Sequence, residues 1–357
     1  MSTAAPIAVA APTSHNGAVR RSFVTVDLAA IRHNVRLLRG LLDRAELWAV
    51  VKADAYGHGA VPVAAAAVEA GSTALLVATV AEAGELRRAF PTARILVLGP
   101  VDPGEVEDAR GAGVELCVSS HDVPDGISLH LKLDTGMGRW GLSELVPPTA
   151  GVVGLMSHFA SSESDPAFTE LQLERFLAAT APYAHLTRHI ANSAGTLRLR
   201  AAHLDAVRCG IAVYGISPFG PDEAVEGLRP ALRWESTVAL VKTVAAGEST
   251  GYGRRFVATS PTRIGIVPVG YADGFRRDLT GTEVVVAGER AAVVGTVSMD
   301  ALAVALPAGA GEGDAVTLVG DGVLIEEHAR VSGTIGYEIA CGIVSRAGRS
   351  ERVFLDE

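Results

Sequence analysis

The sequence has few cysteines, no excess of basic residues and no long apolar run, and each shortage excludes a class of protein. Its 357 residues include three cysteines, which are far apart in the sequence: Cys117, Cys209 and Cys341. An odd number of thiols without paired spacing argues against a disulfide framework or a zinc site and favours buried thiols in a reducing cytoplasm. The formal charge of −9 offers no basic stripe, so nucleic acid is not an expected partner. No apolar segment is long enough to span a membrane.

Residues 1–19 are rich in Ala and Pro, and Arg20 and Arg21 follow them instead of preceding them. A secretory signal has the opposite order, so we expect residues 1–21 to form a disordered tail. The remaining length predicts one large domain and one smaller domain. We expect the first over residues 22–233 and the second over residues 234–357, in a protein of the cytoplasm.

Short apolar segments alternate with helix-like segments through the first of these domains. The candidate strands are Leu47–Lys52, Ala74–Thr79, Arg94–Leu98, Val114–Ser119, Ser128–Leu133, Val152–Ser157, Thr187–Ala191 and Asp205–Cys209. The candidate helices are Val61–Glu69, Ala81–Phe90, Gly104–Arg110 and Phe168–Ala179, besides one that Asp27 is placed to cap. Eight strands in alternation with helices predict an α/β fold, a (β/α)₈ TIM-type barrel.

Beyond Pro230 the pattern changes to short alternating or apolar segments separated by Gly and Pro. Such spacing predicts a mostly β C-terminal domain. Its candidate strands are Val238–Val244, Arg263–Val269, Glu283–Val286, Ala291–Thr296, Ala301–Leu306 and Ala315–Val319, and Glu326–Ser332 is its candidate helix.

Lys52 lies at the end of the first candidate barrel strand, directly before a polar turn that contains Tyr56 and two glycines. An amine held by apolar surroundings loses solvation of its charged form, which lowers its pKa and makes it a nucleophile. A lysine at a strand end also extends into water in many proteins. The flanking Tyr-Gly-His-Gly favours the chemical interpretation.

Other polar residues follow the carboxyl ends of later candidate strands. They are Lys132, Asp134, His158, Asn192, Ser193, Arg208 and Gly210. Barrel enzymes have their active sites on this face, and the loops after strands seven and eight often bind phosphate. Ser193 and the Gly210–Ile211 backbone occupy that phosphate position. Arg139, on a glycine-rich loop, is a candidate to donate two hydrogen bonds to a carboxylate or a phenolate.

The segment V-V-K-A-D-A-Y-G-H-G (50–59) resembles the cofactor-lysine motif of alanine racemases, which use pyridoxal phosphate. This resemblance implies that Lys52 holds the cofactor covalently and that Tyr56 contacts its phosphate. K-L-D-T-G-M-G-R (132–139) resembles a second family block. It implies that Arg139 meets the cofactor hydroxyl and the substrate carboxylate, and that Lys132 is a candidate for the carbamylation found in many members.

Further blocks resemble the family in the same order along the chain. In the barrel they imply that His158 lies near the cofactor ring and that Asn192, Ser193, Arg208, Gly210 and Ile211 hold the phosphate and the pyridine nitrogen. In the second domain they imply that Tyr252 is the second catalytic base, that Tyr271 and Met299 contact the substrate, and that Tyr337 binds the phosphate. An arginine at the pyridine nitrogen keeps the ring unprotonated, which weakens its pull on electrons and favours reprotonation of the substrate.

Two barrel connections are shorter than the dozen residues that a parallel crossover needs. Residues 121–126 contain a Pro-Asp-Gly turn, and residues 142–150 contain Pro147 and Pro148, so we expect no helix in either. The family carries helices at both places. We therefore expect the fifth barrel strand to have a poorly shielded outer face and to be locally soft.

These inferences predict an enzyme that interconverts L- and D-alanine with two bases. The family pattern places Tyr252 in the partner subunit's half of each site, so the resemblance implies an obligate homodimer whose subunits share the active sites. The resemblance implies that the product serves peptidoglycan synthesis. A racemase of broad specificity, a pyridoxal phosphate-binding protein with reduced or no racemase activity, and a decarboxylase are the alternatives. Arg208 argues against the decarboxylase, which would need a stronger electron sink.

Overall fold

The computed structural model describes residues 21–120, 124–145 and 147–356. Its first strand, β1 (Ser22–Asp27), leads directly into helix α1 (Leu28–Gly40). The helix begins where predicted because the Asp27 carboxylate accepts a hydrogen bond from the Ala30 amide at 2.9 Å, which satisfies one of the free amides of the first turn.

Eight parallel strands form the predicted barrel, and their order around it follows the sequence. The strands are β2 (Glu46–Val50), β3 (Ala74–Val77), β4 (Ile95–Val97), β5 (Glu115–Val118), β6 (Leu129–Lys132), β7 (Val152–Met156), β8 (Thr187–His189) and β9 (Ala206–Cys209). Strand β9 pairs with β2, and the Arg208 amide donates to the Ala191 carbonyl at 2.9 Å just beyond β8. All eight predicted strands are thereby confirmed, with ends that differ by at most two residues.

Helices cover the outside of the barrel where the sequence predicts them. The short segment α2 (Lys52–Tyr56) comes first in the chain. The helices after it are α3 (Ala60–Glu69), α4 (Val80–Ala89), α5 (Val106–Gly111), α6 (Pro166–Thr180) and α7 (Ser193–Arg198). Thr79 begins α4 with a capping box to Glu82, and Asp165 begins α6 by accepting from the Phe168 amide. Of the helices α3 to α7, α7 alone, with six residues, has no counterpart among the predicted helices.

The two short connections flank β6, and neither contains a helix in its described residues. Residues 121–123 and 146 lie outside the described ranges. The expectation that β6 is poorly shielded is wrong: its outward side chains Leu129 and Leu131 are 0% and 1% exposed. In the second connection, the Leu142 amide donates to the Lys132 carbonyl at 2.7 Å, and Leu145 packs against the core. The connection itself thus lies against the strand that it follows.

A nine-stranded sheet forms the mostly β part of the protein, as predicted, and a two-stranded ribbon accompanies it. The strands are β10 (Leu232–Thr237), β11 (Leu240–Val244), β12 (Ser249–Thr250), β13 (Phe256–Val257), β14 (Thr262–Val267), β15 (Glu283–Val286), β16 (Glu289–Val294), β17 (Leu302–Ala305), β18 (Ala315–Val319) and β19 (Ser350–Leu355), and the helices are α8 (Ile325–Val331) and α9 (Gly336–Gly342).

Strand β1 pairs in this sheet, antiparallel with β10 and parallel with β19. The sheet therefore contains a strand that precedes the barrel in the sequence. The boundary near residue 233 stays a prediction.

The predicted tail lies outside the described residues except for Arg21, which donates to the Pro268 carbonyl at 2.9 Å. Among the helices of the described ranges, none combines the length and the apolar character needed to cross a membrane.

Candidate active site

A cavity of about 940 Å³ opens at the carboxyl ends of the barrel strands. This is the face where barrel enzymes have their active sites. The predicted residues of the barrel, together with one residue of α9, line this cavity: Lys52, Tyr56, Lys132, Arg139, His158, Asn192, Ser193, Arg208, Gly210, Ile211 and Tyr337. Side chains from several barrel strands or their following loops thus meet in one space.

Lys52 begins a strained turn. Ala53, Asp54, Ala55 and Tyr56 have φ between 52° and 54°, so α2 is a left-handed turn made without glycine. Each such residue costs roughly 1–2 kcal/mol relative to a right-handed conformation. Strain of this kind persists only where the surroundings determine the backbone, and it clusters at functional sites.

His58 and Glu82 hold this turn in place. The His58 Nδ1 lies 3.1 Å and 3.0 Å from the carbonyls of Ala55 and Tyr56 and must donate, because carbonyls only accept. Burial lowers the pKa of His58 to about 4, so its ring is neutral at physiological pH. The Glu82 carboxylate accepts from the Ala53 amide at 2.8 Å.

The Lys52 amine is suited to act as a nucleophile and a base. Its pKa is lowered, first by burial and then by the positive charge of Arg139. A lower pKa increases the fraction of neutral amine, which is the reactive form.

Hydroxyl groups and a close backbone approach meet at one end of the cavity. Ser193 Oγ accepts from the Gly210 amide at 3.1 Å, and a Cβ on Gly210 would lie 2.5 Å from Tyr56 Oη. The Tyr56 and Tyr337 ring centroids are 5.8 Å apart. Three hydroxyls near the Gly210–Ile211 backbone form a donor set suited to a phosphate group.

Asn192 supports this end of the cavity from the side. Its side-chain oxygen accepts from the Gly195 amide at 2.9 Å, which caps helix α7, and from Ser162 Oγ at 2.9 Å. The cap fixes the first residue of the helix, Ser193, with its hydroxyl toward the cavity.

Arg208 lies in the centre of the barrel and is 3% exposed. Its guanidinium donates to His189 Nδ1 at 2.8 Å, to His158 Nδ1 at 3.1 Å and to the Ser157 carbonyl at 2.8 Å. Burial lowers its pKa to about 10, so it stays a cation at neutral pH. A cation at this position also keeps His158 neutral: burial and then Arg208 lower the pKa of His158 well below its ordinary value.

The loop after β6 carries Arg139, another cationic residue that the sequence predicts for the site. Asp134 accepts from the amides of Gly136, Met137 and Gly138 at 2.8–3.2 Å, and so folds the glycine-rich turn. Arg139 and Lys132 both face the Trp140 ring, at 5.4 Å and 5.6 Å from its centroid. Burial lowers the pKa of Lys132, which makes its amine available for modification.

Three predicted residues do not line the cavity of this chain. Tyr252, Tyr271 and Met299 are 68%, 42% and 53% exposed. They lie on neighbouring loops, because Thr296 Oγ1 donates to the Tyr252 carbonyl at 2.7 Å and the Tyr271 amide donates to the Ser298 carbonyl at 3.1 Å. All three side chains are therefore exposed on neighbouring loops outside the cavity.

Several polar residues of this region were not predicted from the sequence. Glu82 and Cys341 border the turn at Lys52, and His130 and His189 lie behind Arg208. The signal for His130 is its spacing: it precedes Lys132 by two residues in a strand, and such residues point to the same face. No local signal marks Cys341, because its place depends on the packing of α9 against the barrel.

Comparison with known proteins identifies the family. The family model "Alanine racemase, N-terminal domain" matches residues 26–218, and "Alanine racemase, C-terminal domain" matches residues 231–351. The alanine racemase of Symbiobacterium thermophilum is 40% identical over 93% of this chain and 97% of that protein.

Solved structures agree with these matches. The biosynthetic alanine racemase of Pseudomonas aeruginosa has a TM-score of 0.88 and 37% identity over 95% of this chain and all (100%) of that one. The alanine racemase of Bartonella henselae, solved with covalently bound pyridoxal phosphate, has a TM-score of 0.84 and 27% identity over 94% of this chain and 99% of that one. Both halves of the sequence and its fold thus match those of alanine racemases, and the chain belongs to the alanine racemase family.

Proposed function

We propose that this chain interconverts L-alanine and D-alanine with pyridoxal phosphate as cofactor, using Lys52 and Tyr252 as two bases. The observation that carries the proposal is the cavity at the barrel mouth. In it a lysine of lowered pKa, a buried arginine and a cluster of hydroxyls occur together.

The residues of this cavity fit the cofactor. The hydroxyls of Tyr56, Ser193 and Tyr337 and the Gly210–Ile211 backbone would hold its phosphate. Lys52 would hold its aldehyde carbon, and Arg208 would face its ring nitrogen. When bound, pyridoxal phosphate accepts the electron pair that remains when the Cα proton of the amino acid leaves.

Lys52 supplies one base, and its lowered pKa increases the fraction of neutral amine that can accept a proton. Inversion of the amino acid needs a second group on the opposite side of Cα. Tyr252 lies outside the cavity of its own chain and is 68% exposed. We infer that it enters the cavity of a second copy, so that each site of a homodimer takes Lys52 from one copy and Tyr252 from the other.

Arg208 limits the reaction to proton exchange. Its cation is held by acceptors on three sides and stays charged at neutral pH. A fixed cation at the ring nitrogen keeps this nitrogen unprotonated and so limits the electron pull of the ring. His158 is neutral and accepts from Arg208, which sets its orientation beside the ring.

Arg139 binds the substrate carboxylate and the cofactor hydroxyl in this proposal, because its guanidinium borders the cavity near Lys52. Carbamylation of Lys132 would give Arg139 an anionic partner. Tyr271 and Met299 would contact the substrate from the second copy, because they are exposed on loops that neighbour the Tyr252 loop.

The expected setting is the cytoplasm, where the three free thiols would stay reduced. There the enzyme would supply D-alanine for peptidoglycan synthesis.

Incubation with single enantiomers tests the proposal. The purified protein with pyridoxal phosphate should convert L-alanine and D-alanine to the same optically inactive mixture, and no carbon dioxide should form. Loss of optical signal with release of carbon dioxide would identify a decarboxylase, and no change with either enantiomer would identify a binding protein. Equal rates with alanine and with larger amino acids would identify a racemase of broad specificity.

A further inference from the structure

A line of polar side chains runs through the interior of the barrel from its amino end to Arg208. Glu115 Oε2 lies 2.8 Å from His130 Nε2, and His130 Nδ1 lies 2.8 Å from His189 Nε2. His189 Nδ1 in turn accepts from Arg208 at 2.8 Å. Four side chains on four strands are thus joined by three consecutive hydrogen bonds.

The chemistry of the two ends sets the direction of these bonds. The arginine guanidinium can only donate hydrogen bonds, so His189 Nδ1 must be the acceptor and carries no proton. The proton of the neutral His189 ring therefore lies on Nε2. His189 then donates to His130 Nδ1, which leaves the proton of His130 on Nε2. That proton is donated to the Glu115 carboxylate, which only accepts when ionised. Each ring is therefore held in one tautomer by its neighbours.

Burial makes this arrangement costly to disturb. His130 and His189 are 0% exposed and Arg208 is 3% exposed, whereas the Glu115 side chain is 19% exposed. The Trp48 ring lies 4.6 Å from the His189 centroid, in an edge contact that fills the space beside the line. A polar group left unpaired in such a place destabilises the folded protein.

Glu115 is itself fixed and charged. Arg94 Nε donates to its two carboxylate oxygens at 2.9 Å and 3.1 Å. Burial raises the pKa of Glu115, but the hydrogen bonds from His130 and Arg94 outweigh it, and the pKa lies below the ordinary value. A Cβ on Gly154 would collide with the His130 ring, so the glycine leaves the space that this ring occupies.

We propose that Glu115, His130 and His189 form a relay that positions Arg208, with Glu115 as its anionic anchor at the amino end of the barrel. Glu115 is a positioning residue: it acts on the cofactor site only through the two histidines. The relay keeps His189 Nδ1 oriented as an acceptor toward the Arg208 guanidinium. It thereby prevents the guanidinium from rotating away from the cavity centre. This inference rests on the proposed role of Arg208 at the cofactor ring.

The tautomers can be read without cofactor. Solid-state ¹⁵N spectra of cofactor-free protein with labelled histidine should show His130 and His189 neutral at pH 7.5, each protonated on Nε2. Assignment would come from single His130→Asn and His189→Asn samples. A proton on Nδ1 of either ring, or a doubly protonated ring, would overturn the relay. Correct tautomers in a protein that does not racemise alanine would leave the relay standing and refute the proposed function.

The anchoring role is tested by pyridoxal phosphate affinity, measured by fluorescence titration. Glu115→Leu removes the acceptor and should weaken binding by about tenfold, the factor expected for one hydrogen bond to a charged group. Glu115→Gln keeps a carbonyl acceptor and should lose less than about threefold.

Glu46→Gln is the matched control, because Glu46 also lies at the amino end and near Arg94 but bonds Trp48 instead of a relay histidine. It should bind pyridoxal phosphate as the unchanged protein does. Normal affinity in Glu115→Leu, or an equal loss in Glu46→Gln, would overturn the role of Glu115.

Discussion

Replacing Gly210 by alanine should displace Tyr56 and weaken cofactor binding. The new Cβ would lie 2.5 Å from Tyr56 Oη, 3.0 Å from Cζ and 3.1 Å from Cε2. These distances are shorter than the favourable separation of non-bonded heavy atoms by up to about 1 Å. The ring has little room to retreat, because Tyr56 is 6% exposed and its centroid lies 5.0 Å from that of Tyr214. Overpacking of this kind costs about 1–3 kcal/mol.

The consequence for function follows from the position of the hydroxyl. A displacement of about 1 Å in a positioning group can reduce activity by about a hundredfold. We expect Gly210→Ala to bind pyridoxal phosphate roughly tenfold or more weakly and to unfold at lower urea concentration. Both are measured at one fixed protein concentration, because association with a second copy would make stability depend on it.

Two further variants separate the collision from a general effect of alanine. Gly84 lies inside α4, and apart from its chain neighbours and the nearby backbone of its own helix no described atom lies within 4 Å of the position that an added methyl group would occupy. Gly84→Ala should therefore stabilise the protein by about 0.5–1 kcal/mol. Removing the colliding oxygen in Gly210→Ala/Tyr56→Phe should recover part of the lost stability, so the two changes should not add. Normal stability and normal cofactor affinity in Gly210→Ala would refute the reasoning.

Three other outcomes follow from the structure. Mixed Lys52→Ala and Tyr252→Phe proteins should regain activity after subunit exchange, since one site of each mixed dimer is intact; verified mixed dimers without activity would contradict the shared site. His58→Asn should be less stable than the unchanged protein above pH 6.5, and the difference should shrink as the pH falls toward 4, because the folded state holds His58 neutral; a difference independent of pH would count against this role. Amide exchange should be as slow in Leu129–Lys132 as in residues 47–50, since all of these residues are buried; faster exchange in the former would restore the expectation of a soft strand.

Much of the fold could be predicted from local signals. Asp27 marks the start of α1, and the apolar run 47–51 marks β2, because capping and burial depend on residues close in sequence. The place of β1 depends on pairing with β10 and β19, which lie more than 200 residues away. No local pattern distinguishes such a strand from a barrel strand.

The residues that line the cavity could be predicted from the sequence better than the geometry in which they are held. Lys52 and Arg208 stand at strand ends, so barrel topology alone brings them to one face. The left-handed backbone from Ala53 to Tyr56 has no glycine to signal it, and it exists because surrounding groups such as His58 impose it. The wrong expectation for β6 came from counting helices, whereas Leu142 and its neighbours pack closely without one.

The most direct test of the two-base claim is the fate of the Cα proton in heavy water. With L-alanine as the only substrate, we predict that the first D-alanine formed carries deuterium at Cα, because the second base delivers a proton exchanged from solvent. Lys52 and Tyr252 would then act from opposite sides. D-alanine that retains the original proton would show that one base removes it and returns it, and would contradict the two-base claim.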